Sequence, residues 1–170
     1  MATDVTIERS ARRAVSLPHG ALALAGLAAT AGVIHVVATV EHVGVEWELA
    51  VFFAVVGAAQ LAAGWRIYRN GADARRLALV ALGSVALALL WGVSRTTGMP
   101  LGPEAGTVAK VGVGDTIATL LELAFAALAG MILWRGEQRV AWLSGGMGTR
   151  LTFAVLSLAL MTAALGGHEH

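Results

Sequence analysis

Residues 66–76 read Arg66-Ile-Tyr-Arg-Asn-Gly-Ala-Asp-Ala-Arg-Arg76, with four arginines in eleven positions. Apolar runs flank the stretch on both sides, residues 49–65 before it and 77–94 after it. Each run is close to the roughly 17–25 residues that a membrane-spanning helix needs. A basic segment between two such runs reads as a loop held on the cytoplasmic face, because bacterial membrane proteins keep Arg and Lys inside. Working outward, the pattern repeats. Arg9, Arg12 and Arg13 precede an apolar run at 20–40. Arg135, Arg139 and Arg150 separate a run at 111–134 from one at 151–167. Only Arg95 and Lys110 fall outside these three groups.

Every basic group then lands on one side. The chain reads as an all-α, single-domain bundle of five transmembrane helices, with a cytoplasmic N-terminus and an external C-terminus. Residues 41–48 and 95–114 are the external connections. Trp47, Trp65, Trp91 and Trp134 fall at or near predicted helix ends, where an interfacial aromatic belt places them. Ala29-Thr-Ala31 resembles a signal-cleavage site, but the apolar run continues to Val40, so the first span is expected to stay.

Composition supports this class. The chain is 57% hydrophobic and 14% charged, against about 25% charged in a soluble domain. Its mean hydropathy is +0.73. A net charge of +1 argues against a nucleic-acid partner. The absence of cysteine excludes disulfides, thiolate metal sites and Cys nucleophiles. There is no Walker loop, no H-E-x-x-H and no G-x-S-x-G, so nothing favours a hydrolase or nucleotide enzyme. The 21 glycines and many alanines, including the pair Ala28 and Gly32, allow helices to approach closely. Such packing serves either the bundle itself, a homo-oligomer or a larger membrane complex.

Ionisable side chains at membrane depth cost about 2.5–3.5 kcal/mol each on insertion scales, so they usually face inward and serve a purpose. Here they are few. His35 and Gln60 lie in the first two spans, and Asp115 and Glu122 in the fourth. Near the external ends sit Glu41, His42, Glu46, Glu48, Arg95 and Glu104. His35 and His42 are seven residues apart, as are Asp115 and Glu122. Seven residues bring a side chain back to the same helix face two turns on. The first and fourth spans run oppositely. If they touch, His42 meets Asp115 near the surface and His35 meets Glu122 at depth. Glu46 and Arg95 complete the shallow layer.

The plainest reading of these pairs is structural, with imidazole and carboxylate fixing helix register. The chemical reading is a site in the outer half of the protein. Imidazole with carboxylate suits a transition metal such as Zn, Fe, Mn or Cu(II). The expected metal ligands are His35, His42, Glu46, Asp115 and Glu122, with Glu41, Gln60 and Arg95 as further polar groups. The terminal His168-Glu-His170 lies on the same predicted side. A haem is not expected, since membrane haem usually takes His from two helices. A proton-coupled carrier working through His35 and Glu122 is the alternative, since both groups can exchange protons near neutral pH. An accessory subunit of a membrane complex is another.

The external loop Arg95-Thr-Thr-Gly-Met-Pro-Leu-Gly-Pro-Glu-Ala-Gly106 holds two Pro and three Gly, and reads as a series of defined turns. It is placed to cover the shallow layer, with Arg95 pairing Glu41, Asp115 or an anion. The run from Ser94 to Pro103, followed by Val111-Gly-Val-Gly-Asp115 and Glu122, resembles a pattern in small multi-pass membrane proteins of actinobacteria. That resemblance covers residues 94–122. It implies the same membrane architecture and no particular activity. The charge pattern of the whole chain places it in the bacterial inner membrane as a multi-pass protein.

Overall fold

The computed structural model describes residues 18–71, 73–99 and 105–135, with the single positions 150, 154 and 157. Among the described residues four helices are traced: α1 Pro18–His42, α2 Trp47–Asn70, α3 Ala74–Thr96 and α4 Val113–Arg135. All four are long and apolar enough to cross a membrane, at 23 or 24 residues each over their apolar spans. A helix of that length is about 35 Å long, against a hydrocarbon layer of about 30 Å. They coincide with the first four predicted spans. The fifth predicted span, and the tail His168-Glu-His170, lie outside the described residues except for Ala154 and Ser157, which are helical.

The helix ends follow local chemistry. α2 continues past Trp65 to Asn70, because nothing in Arg66-Ile-Tyr-Arg69 opposes a helix. It stops where Gly71 adopts a φ of 72° and donates its N–H to the Ile67 carbonyl at 2.9 Å. A left-handed φ of this kind favours glycine and is a common helix stop. α3 starts immediately after, where the Asp73 carboxylate accepts the Arg76 N–H at 3.0 Å. This is an N-cap. The predicted basic loop therefore shrinks to the residues between Asn70 and Ala74.

α1 is the central helix. Some 56% of its apolar window is buried, against 22% for α2 and for α3 and 39% for α4. It packs on α2 and on α4, and α4 packs on α3. α2 and α3 do not pack on each other in this way, although they are close neighbours in sequence. The α1–α2 contact is close because it is made of small residues. A Cβ added at Gly57 would lie 3.0 Å from the Gly32 carbonyl oxygen. In lipid, helix association rests on such packing, because burying apolar surface from water is no longer available.

The densest core lies at the arginine-bearing end of the bundle. Leu24, Leu77 and Phe125 are almost fully buried there, with Ala25, Ala28, Ile67, Ala129 and Ile132 around them. The outward faces are apolar. Val55, Leu79, Leu82, Leu89, Leu120 and Leu123 are all exposed, as lipid-facing residues are. Trp47, Trp65 and Trp134 are exposed near helix ends. The guanidinium of Arg69 lies over Trp65 and that of Arg135 over Trp134. Trp91 departs from the expected belt. It lies more than one turn inside α3 and is half-buried.

Candidate functional site

Opposite the packed end, the four helices enclose a cavity of about 530 Å³. Its deep end is polar. His35 of α1 and Glu122 of α4 line it there, and Gln60 of α2 hydrogen-bonds Glu122; each of the three is buried to more than nine-tenths. Their helices are otherwise apolar at this level, so turning inward toward one another is the least costly placement.

The hydrogen bonds set the chemistry. His35 Nδ1 lies 2.9 Å from the carbonyl of Ala31, one turn back on α1. A carbonyl only accepts, so Nδ1 carries a hydrogen and donates it. That leaves Nε2 directed at Glu122 Oε1, 3.8 Å away. The same Oε1 accepts a hydrogen bond from Gln60 Nε2 at 3.0 Å. Glu122 Oε2 has no hydrogen-bond partner among the described residues, and Glu122 lines the cavity. Gln60 Oε1 is also buried without a partner.

The expected deep pair of His35 with Glu122 is therefore present, and the first and fourth helices pack together as its geometry requires. The shallow pair is different. Asp115 takes the Arg95 guanidinium, not His42. Arg95 sits in the last turn of α3 and Asp115 in the first turn of α4. A cation that is permanently charged, on a helix packed against the aspartate's own, outcompetes an imidazole. His42 instead donates Nδ1–H to the Ala38 carbonyl at 2.8 Å. Its ring packs on Phe53, with centroids 5.1 Å apart, and Phe53 also meets His35 at 5.7 Å. One phenyl ring of α2 thus bridges the two histidine levels.

Glu41 is exposed and stands apart from the cavity. Glu46 lines its mouth. All five expected metal ligands border the one cavity. They do not converge, however. Among the described residues no three His, Asp or Glu side chains are grouped to hold a metal ion. The five residues thus share one cavity, spread from its mouth to its deep end, without such a group among the described residues.

The loop after α3 folds back as the turn residues predict. Gly98 has a φ of 81°, and a Cβ there would come within 2.5 Å of the Gly106 carbonyl carbon. Gly106 N–H reaches the Met99 carbonyl, and Ala109 N–H reaches that of Ser94, both at 3.0 Å. Met99, Thr107, Ala109 and Lys110 thereby join the cavity wall. Residues 100–104, including Glu104, lie outside the described residues.

Two participants were not paired by sequence reasoning. Gln60 is conspicuous as the one strongly polar side chain within the apolar run of α2, but nothing in its position indicates Glu122 as its partner. Trp91 lines the cavity, with Nε1 buried and unpartnered. Its four-residue spacing from Arg95 was the available signal. No family model matches the chain, and no curated protein or solved structure matches it either.

Proposed function

We propose that the chain is a small bacterial inner-membrane protein in which His35 and Glu122 share an exchangeable proton at the base of an outward-opening cavity, the arrangement of a proton-coupled carrier. The observation that carries this reading is the fixed tautomer of His35. With Nδ1–H committed to Ala31, the only imidazole position that can gain or lose a proton is Nε2, and it faces Glu122. A proton on Nε2 leaves an ion pair. The same proton on Glu122 leaves two neutral groups. Rotating the Gln60 amide by half a turn would offer Oε1 to a protonated Glu122 in place of Nε2 to a carboxylate. Either state then has a partner, which is what an exchangeable site needs. The transition-metal reading lacks a three-ligand cluster among the described residues, and the proton reading is preferred for that reason.

The titratable and charged groups around the same cavity are His35 and His42 of α1, Glu46 and Glu48 at the start of α2, Arg95 of α3, Lys110 of the loop and Asp115 of α4. Infrared difference spectra of the purified chain across a pH titration should show a carboxylic C=O band. It should vanish in Glu122→Gln, and its midpoint should move in His35→Ala. A band that survives Glu122→Gln, or a midpoint indifferent to His35, would contradict the shared proton.

The orientation rests on the arginine groups. A reporter active only in the cytoplasm should work when fused after Arg76 and fail after Gly106. The opposite result would place the cavity mouth inside the cell.

A further inference from the structure

The geometry points to an amphipathic organic cation, an ammonium or phosphonium ion with an apolar body, as the ligand of the cavity. The inference rests on the proton reading above and names what exchanges with the proton at Glu122.

The charge balance comes first. Arg95 is committed to Asp115. With His35 and His42 neutral, the carboxylates of Glu46, Glu48 and Glu122 then outnumber the one remaining cation of the described wall, Lys110. Glu122 is the deepest of them. It is 3% exposed, and its Oε2 is free of hydrogen bonds to the described residues while it borders the cavity. An ionised carboxylate oxygen on a cavity wall accepts from a donor or attracts a cation.

The rest of the wall decides which cation. A transition-metal ion is held by several convergent imidazole or carboxylate ligands, and no group of three His, Asp or Glu side chains forms among the described residues. Ile34, Leu49, Leu87 and Leu90 are among the apolar residues of the wall. Only a cation that brings its own apolar cover, and holds its water weakly, gains from such walls. Aromatic rings are also in place. Phe52 and Phe53 lie 5.4 Å apart on α2, and Trp91 faces the cavity from α3. A ring within about 6 Å of a cation attracts it, most strongly where water is excluded. The volume falls within the roughly 300–1,000 Å³ typical of small-molecule sites. From Asp115 at the rim to Glu122 is about 10 Å along α4, enough to seat the charge at depth and the body among the rings.

Binding is a simple exchange. The cation takes the place of the proton on Glu122, and one proton leaves for each cation bound. The probe pair is tetraphenylphosphonium and tetraphenylborate, which share shape and differ in sign. Equilibrium binding to the full chain in detergent micelles should show saturable phosphonium uptake, one per chain, that weakens as pH falls. Borate should show only micelle partitioning. Glu122→Gln should reduce phosphonium affinity by about tenfold or more, as loss of a buried charge partner does. Phe53→Leu, which keeps the volume apolar, should weaken it a few-fold. Saturable borate binding equal to phosphonium, or unchanged affinity in Glu122→Gln with helicity retained, would overturn the inference. Phonium uptake that depends on Glu122 yet releases no proton upholds the cation site and removes the shared proton. A His35-dependent carboxyl titration without saturable phosphonium binding does the reverse.

Discussion

Gly57→Leu is expected to lower the unfolding midpoint of the purified protein more than any single change on a lipid-facing surface. The Cβ alone would lie 3.0 Å from the Gly32 carbonyl oxygen, 3.1 Å from Val36 Cγ2 and 3.3 Å from His35 Cβ. The obstacle is the backbone of α1, which cannot rotate away as a side chain can. Leucine adds three more carbons behind that Cβ. Overpacking of this kind costs about 1–3 kcal/mol and occasionally more. The upper part of that range applies here, because α2 has its main packing on α1. Separating the helices also draws Gln60 away from Glu122, so the deep site is lost with the contact. Gly83→Leu is the control. Gly83 has nothing within 4 Å of an added Cβ, and its leucine would face outward. Thermal or denaturant unfolding in detergent compares the two. Equal midpoints would mean that the α1–α2 seam does not hold the bundle.

The second large effect belongs to the deep cluster. Glu122→Ala removes the acceptor of Gln60 Nε2 and the neighbour of His35 Nε2 together. Breaking one side of a buried pair costs up to about 3–5 kcal/mol, because the other side is left uncompensated. His35→Ala should cost less, since Gln60 still donates to Glu122. The double change should destabilise less than the two singles added, with a coupling of about 0.5–3 kcal/mol. Replacing His35, Gln60 and Glu122 by leucine together should recover most of the stability, as apolar replacement of whole buried clusters often does. The same triple variant should show no carboxyl titration and no phosphonium uptake. A stable triple variant with both activities gone separates role from scaffold. Strict additivity of His35→Ala and Glu122→Ala would show that the two groups do not interact.

What could be read from the chain alone was local. Apolar runs, arginine groups, Gly71 and Asp73 act over a few residues, so helix number up to Arg135 and the positions of most helix ends were legible. The fifth span is a reading of composition only. The seven-residue spacings of His35–His42 and Asp115–Glu122 set two levels on two helix faces, since helical periodicity is itself local. They were enough to bring His35 and Glu122 together once the helices packed.

Partner choice was not local, and only the tertiary structure decided it. Asp115 had His42 and Arg95 within plausible reach, and the packing of α3 on α4 gave it to Arg95. Glu122 acquired Gln60 because Gly32 and Gly57 let α2 come close enough to α1. Trp91 turned into the cavity instead of joining the interface, and the five proposed metal ligands were spread from the rim to the base of one cavity. Helical periodicity gives each side chain a height and a face. Which groups then meet depends on the rotation and spacing of neighbouring helices, set by the packing of Gly, Ala, Phe and Leu side chains far apart in sequence.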